Sequence, residues 1–163
     1  MAKIVSSGIV LTRGSGPTLQ ILLGHASHKN PASYADRRWT FFKGKQENGE
    51  SLWETAKREF YEEAGMEIKD KDFSSVAYLN GEPAPFFSYK VKTDAGKKTV
   101  FAHLLFDVKK LSTGFPFECK SFVAKNYPEI DDYTWATPVQ ARRICMPSQQ
   151  ELFDHILELS YFL

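Results

Sequence analysis

Seven residues in one stretch have the types and spacing to do chemistry: Gly44, Glu50, Arg58, Glu59, Glu62, Glu63 and Gly65, with apolar Phe60 and Met66 set among them. Ser51 followed by Glu54 is a capping box, which predicts a helix beginning at about Leu52. Gly65 suits the left-handed residue just past the helix end. Successive helical residues turn by about 100°, so Glu62 and Glu63 fall roughly 60° and 40° on either side of Glu59. Leu52, Trp53, Ala56, Phe60 and Ala64 form an apolar stripe that begins where the carboxylates end. Three acids thus share one face at the margin of the buried side. Carboxylates this close repel one another unless a cation neutralises them. An all-oxygen donor set suits a hard cation such as Mg²⁺ or Mn²⁺. Arg58 can pair with Glu62 four residues on, and Glu54 with Arg58, which would fix the orientation of the cluster. A solvated charged face would account for an isolated acidic run, but it leaves the glycines and Glu50 at their set distances unexplained.

The scaffold around this helix is bounded by composition. A chain of 163 residues with 42% hydrophobic and 25% charged residues can bury a full core, and residues 1–163 are expected to form one domain. A net charge of +1 gives no electrostatic case for general nucleic-acid or membrane binding. Cys119 and Cys145 have no metal-type spacing and read as free thiols of a reducing cytosol. The first thirteen residues, MAKIVSSGIVLTR, lack the continuous apolar core of a signal peptide, and no run approaches the ~18 apolar residues of a membrane span. A cytoplasmic protein is expected.

Residues 3–12 (KIVSSGIVLT) and 18–24 (TLQILLG) read as strands of an opening hairpin around GSGP. Residues 25–38 read as a loop whose His25 and His28 are solvated rather than metal-bound. A short strand at 39–42 leads into Lys43-Gly44-Lys45. Beyond the helix, 73–79 reads as a strand, GEPAP at 81–85 as a loop, and 86–91 with 99–108 as a second hairpin turning at Asp94-Ala95-Gly96. His103, inside that hairpin, reads as a half-buried strand residue. Residues 111–128 form a long connection, of a length that is more often functional or mobile than filler. A strand at 133–136 follows. Thr137-Pro138 starts a helix to about Ile144, and a capping box at Ser148 and Glu151 starts a last one, with Leu152, Phe153, Ile156, Leu157 and Leu159 inward. Helices should then pack on both faces of a mixed sheet.

Residues 44–66 resemble the Nudix box: glycine, five residues, Glu, seven residues, then Arg-Glu-apolar-x-Glu-Glu-x-Gly-apolar, with every specified position matched. The resemblance implies an α/β/α sandwich with a mixed sheet between helices. It implies a hydrolase that uses Mg²⁺, with Mn²⁺ as the alternative, to cleave a diphosphate linkage in a nucleoside diphosphate joined to another group. Glu59, Glu62 and Glu63 would hold the metal, with the main-chain carbonyl near Gly44 as a further ligand, while Glu50 and Arg58 orient these acids. Related enzymes often place the base or an extra ligand on a loop after the central strands. Glu129 is the candidate here, with Glu118, Asp131 and Asp132 as alternatives. Lys43, Lys45, Lys97 and Lys98 are candidate phosphate contacts, and Tyr34, Trp39, Phe86, Phe87 and Tyr89 candidate stacking partners for a base. Relatives often carry Pro-Lys-Gly at the start of the box, where this chain has Phe42 in place of the proline. The tail (PEIDDYTWATPVQARR…PSQQELFDHI) is also similar to a bacterial-type subgroup of nucleoside triphosphate pyrophosphohydrolases.

The substrate reading is a small-molecule nucleotide, either a nucleoside triphosphate or a dinucleoside polyphosphate, acted on by a monomer or homodimer. Two alternatives remain beside it: a module that senses a nucleotide without cleaving it, and a hydrolase of capped RNA.

Overall fold

In the chain's computed structural model, described for residues 3–27, 37–124 and 127–163, the fold grows from one strand buried on both faces. β1 (Ile4–Arg13) alternates Ile9 and Leu11 toward one core cluster and Val10 toward another, and all three are fully buried. A strand covered on both sides reads as a continuous apolar run, as IVL does here. β2 (Gln20–Ala26) returns beside it, with Thr12 opposite Ile21 and Arg13 opposite Gln20. β3 (Trp39–Thr40) pairs with β2, and β4 (Phe42–Lys45) pairs antiparallel with the first half of β1, Ser7 opposite Gly44 and Gly8 opposite Lys43. The Lys-Gly-Lys segment therefore belongs to a strand, not to a loop after one.

α1 (Leu52–Ala64) begins and ends where the sequence predicts. The Ser51 side chain accepts from the Glu54 amide, the Glu54 carboxylate accepts from the Ser51 amide at 2.9 Å, and Gly65 closes the helix at φ 77°. Its buried face, Trp53, Ala56, Phe60 and Ala64, packs on Ile9, Leu11, Leu22, Phe42 and Leu105. β5 (Ser74–Ser75) and the small hairpin of β6 (Tyr78–Leu79) with β7 (Glu82–Pro83) replace the single strand expected at 73–79. β8 (Phe87–Thr93) and β9 (Gly96–Phe106) form the second hairpin, tighter than expected because Thr93 and Gly96 still pair and only Asp94-Ala95 turns. β9 runs parallel to β1, from Ile4 opposite Lys98 to Thr12 opposite Phe106.

The connection after β9 has a structural task. The Glu118 amide donates to the Ala64 carbonyl at 3.1 Å and the Lys120 amide to the Glu62 carbonyl at 2.6 Å, satisfying carbonyls that the end of α1 leaves open. The connection also contains β10 (Phe122–Ala124) and β11 (Tyr127–Pro128), which pair with each other. β12 (Ile130–Ala136) is longer than expected and pairs with β2. α2 (Pro138–Ile144) is capped by Thr137 as predicted. α3 (Gln150–Ser160) instead follows a 3₁₀ turn at Pro147–Gln149, and its N-cap, Gln149, makes no side-chain capping bond, so the Ser148 and Glu151 box does not form.

The main sheet runs β12-β2-β1-β9-β5, with β3 on β2, β4 on β1 and β8 on β9. α1 covers one face. On the other, Ala141, Leu152, Phe153 and Ile156 pack on Val10, Ile21, Leu23, Val100, Ala102 and Leu104. This is the expected α/β/α sandwich with a mixed sheet. No helix among the described residues is long and apolar enough to cross a membrane.

Candidate active site

β2 stays with β1 only at its first residues, and beyond them β3 and β4 occupy the pairing positions on the two strands. At that end lies a cleft of about 600 Å³. It is lined by Lys43, Gly44 and Lys45 of β4, Glu59 and Glu63 of α1, Lys98 of β9, Ser27 and Arg38 beside β2 and β3, and Glu129 and Ile130 at the start of β12. Residues from α1 and from several strands of the sheet meet there, though more than 80 positions separate Gly44 from Glu129 in the chain.

Gly44 and Glu59 are fitted to each other. A Cβ on Gly44 would lie 2.0 Å from the Glu59 Cδ and 2.2 Å from each carboxylate oxygen. Only glycine lets this carboxylate come against the strand. Glu63, one turn on, accepts from the Lys43 amide at 2.9 Å and is itself buried. Burial pushes the Glu63 carboxyl well above the usual carboxylate range, and Lys43 partly offsets this. Burial first, then the neighbouring Lys98, lowers Lys43. Glu59 is also raised, by burial and then by Glu62, against the pull of Arg58.

Arg58 organises the near side. Its Nε donates to Glu50 Oε2 at 2.7 Å and its Nη2 to Glu50 Oε1 at 3.0 Å, a fork matched to a carboxylate. Nη1 reaches Glu59 at 2.9 Å and Glu62 at 3.2 Å, and Nη2 also donates to the Lys45 carbonyl at 2.9 Å. Glu50 in turn accepts from the Glu47 amide and the Thr55 hydroxyl. The Arg58 bonds hold its carboxyl down at about 2. Arg58 is held charged by Glu50 first, and Glu54 is occupied with the Ser51 cap rather than with Arg58.

The sequence candidates divide accordingly. Gly44, Glu59, Glu63, Glu129, Lys43, Lys45 and Lys98 converge on the cleft. Glu62 turns along Arg58 and is absent from the lining, so the three acids predicted to act as one face split two and one. Trp39 stands outside the lining with its ring edge-on to His25 at 5.1 Å. Tyr89 is corrected: its ring packs into the core cluster under α3, beside Gln149 and Cys145, and burial raises its hydroxyl. Phe86 and Phe87 pack against His155 on that same side, and Lys97 is exposed outside the cleft. Glu118 lies at the end of α1, Asp132 bonds its neighbour's amide, and Asp131 pairs with His25. His103 is fully buried, not half-buried. His28 and Tyr34 lie outside the described residues. Sequence reasoning missed Ser27, Arg38, Thr40 and Met146, which also line the cleft. They sit at the ends of separate elements, and no local spacing marks them.

Among the described residues no three His, Cys, Asp or Glu side chains close into a ready-made metal cage. The donors nonetheless fit a hard cation. Two partly neutralised, raised carboxylates line the cleft, Glu59 against the glycine whose missing Cβ admits it to the strand and Glu63 on the neighbouring Lys43 amide. One or two carboxylates completed by water and substrate phosphates is the usual holding of Mg²⁺.

The NUDIX domain family model matches residues 2–155. The chain belongs to this family. Solved structures share the fold at low identity. A C. elegans Ap4A hydrolase in a binary complex is 19% identical, with 98% of this chain and 99% of that chain covered and a TM-score of 0.71. The E. coli dihydroneopterin triphosphate pyrophosphohydrolase is 15% identical over 94% of each chain, TM-score 0.61. A NUDIX domain from Shewanella oneidensis complexed with ADP ribose is 12% identical over 97% of this chain and 88% of that one, TM-score 0.63. No curated protein matches the sequence.

Proposed function

We propose that the chain hydrolyses a phosphoric anhydride bond in a nucleoside diphosphate derivative, with Mg²⁺ as cofactor and a nucleoside triphosphate or dinucleoside polyphosphate as substrate. The observation that carries this reading is the meeting of Glu59, Glu63 and Gly44 with Glu129 and three lysines in one cleft. In it Glu59, Glu63, the Gly44 carbonyl and, from the margin, Glu62 would hold the metal. The bound cation supplies charge neutralisation on the phosphate oxygens and a more acidic water.

The chain's own residues do the rest. Arg58, fixed by Glu50, keeps Glu59 and Glu62 in place. Lys43, Lys45 and Lys98 set positive charge along one wall for the phosphate chain. Glu129 faces the acids from the opposite strand end and acts as the base, taking a proton from the attacking water as the new P–O bond forms and the anhydride P–O bond breaks. Residues 1–163 act as one domain in this reading, and the two free, buried thiols, Cys119 and Cys145, accord with a cytoplasmic site of action.

The test is a Mg²⁺-dependent screen of nucleoside triphosphates, Ap4A and nucleotide sugars, with both products identified and ¹⁸O-water marking the phosphorus attacked. Glu59→Gln and Glu63→Gln should lower turnover by orders of magnitude with the fold intact. Full activity in both would sink the proposal.

A further inference from the structure

The start of β12 is irregular in a way that bears on Glu129. Pairing with β2 steps from Ile130 opposite Ala26 to Asp132 opposite His25, so Asp131 is an extra residue on its strand, a β-bulge. Bulges bend a strand and re-aim the side chains beside it, and they recur next to active sites. Here the residue just before the bulged pair is Glu129, whose main chain is anchored on both sides. Its amide donates to the Ser121 carbonyl at 2.9 Å, and its carbonyl accepts from the Ser27 amide at 2.9 Å. The Ser27 hydroxyl adds a bond to the Pro128 carbonyl.

The extra residue is not idle. Asp131 Oδ1 lies 2.6 Å from His25 Nδ1. His25 is braced from its other side by the edge-on ring of Trp39, its cross-strand neighbour on β3. A chain of contacts thus runs from Trp39 through His25 to Asp131, two residues from Glu129. We propose that His25 and Asp131 are a positioning pair, buttressed by Trp39, that locks the β12 bulge and so aims Glu129 into the cleft. The inference rests on the reading of Glu129 given above.

Exposure decides between this and a stabilising role. The His25 and Asp131 side chains are 22% and 43% exposed. A pair this open to water adds little to stability. Placement is more sensitive, since a shift of about 1 Å in a reacting group can lower a rate ~10²-fold. A bond that adds little to folding can therefore matter to the rate.

The experiment is a double-mutant cycle, read on the best substrate among the four ribonucleoside triphosphates and Ap4A, together with ¹H–¹⁵N relaxation of the protein with no substrate present. His25→Ala and Asp131→Ala should each lower kcat about 10-fold with KM within twofold and melting temperature nearly unchanged. Asp131→Asn, which keeps an acceptor for His25, should recover most of the rate. In a Glu129→Gln background His25→Ala should cost less than twofold further. In the relaxation data His25→Ala should broaden the amides of residues 129–132 and leave α1 untouched. Unchanged kinetics in both alanine variants, a full 10-fold loss persisting without Glu129, or unaltered amides at 129–132 would each overturn the pair's role. If Glu129→Gln itself is fully active, the reading of Glu129 fails instead. If no substrate in the panel turns over, the functional proposal is what fails, and the relaxation data still decide whether His25 holds the bulge.

Discussion

Replacing Gly44 by alanine separates the chemistry of the cleft from the stability of the fold. The added methyl would stand 2.0 Å from Glu59 Cδ. Non-bonded carbon atoms sit about 3.5 Å apart at best, so the carboxylate must withdraw by about 1.5 Å. Gly44 is a strand residue outside the left-handed region, so alanine adds no backbone strain. What moves is the free end of a flexible side chain. The loss of one Arg58–Glu59 bond, with Glu50, Glu62 and the Lys45 carbonyl still holding Arg58, should cost about 1 kcal/mol. A displacement of that size at a carboxylate assigned to hold the metal should lower kcat ~10²–10³-fold. Gly8→Ala is the matched control. Its methyl would meet the Phe42 carbonyl oxygen at 2.2 Å and Lys43 Cα at 2.7 Å, which are backbone atoms that cannot swing away. It should destabilise by about 2–3 kcal/mol by prising β4 from β1. Both variants are compared by thermal melts and by Mg²⁺-dependent hydrolysis of the substrate found in the screen. A Gly44→Ala protein with kcat within threefold of the parent would show that Glu59 need not rest against the strand, and the proposed site would lose its centre.

Burial pushes His103 down to about 4, with its Nδ1–H given to the Gly8 carbonyl at 3.1 Å and its ring against Trp53. Because the folded value lies below the ordinary 6.5, this stability is complete above pH 6.5 and is lost as pH falls toward 4. The full shift corresponds to about 3 kcal/mol. His103→Asn, which keeps a donor for Gly8, should lose that part of the pH dependence in urea unfolding, and a slope identical to the parent's would count against it. Phe60→Ala, a fully buried ring in the α1 core, should cost about 3–5 kcal/mol by chemical denaturation. Adding Mg²⁺ at a hundred times its dissociation constant should stabilise the protein by about 2.7 kcal/mol in the same assay. A Glu59→Gln, Glu63→Gln double variant should show no such gain, and an equal gain in both proteins would place the cation elsewhere. Glu50→Gln breaks the fork with Arg58 and should lower kcat about 10-fold with KM little changed; a rise in KM alone would assign Glu50 to substrate binding.

The part of the site legible in the sequence was the part written locally. Ser51, Glu54 and Gly65 fix α1 by short-range bonds, so the helix and the rotation of its acids could be read from spacing. Even there the reading stopped short. Spacing placed Glu62 with Glu59 and Glu63, but Arg58 draws Glu62 along the helix surface while Gly44 admits Glu59 to the strand. Which carboxylate faces the cleft depends on a partner strand that the helix sequence does not contain. The placement of Tyr89 was likewise decided outside its own strand. Tyr89 lies on the half-buried face of a strand whose other face, Ser88, Lys90 and Lys92, is exposed, and its ring packs into the core cluster that contains Leu152, Phe153 and Ile156 of α3.

Glu129 was legible as an acid near a strand, but what brings it to the cleft was not. That placement depends on an extra residue in β12, a histidine at the end of β2 and a carbonyl at Ser121, joined across about a hundred positions of chain. A bulge leaves no mark in hydrophobic alternation beyond a single slip of phase, and Ile130, Asp131 and Asp132 carry that slip without announcing it. The helix supplies a metal-type acid pair through local rules, whereas the residue assigned to take the proton depends on long-range pairing. Substitutions at Glu59 and Glu63 should therefore act on the chemistry directly, while those at His25, Trp39 and Asp131 should act on it only through where Glu129 points.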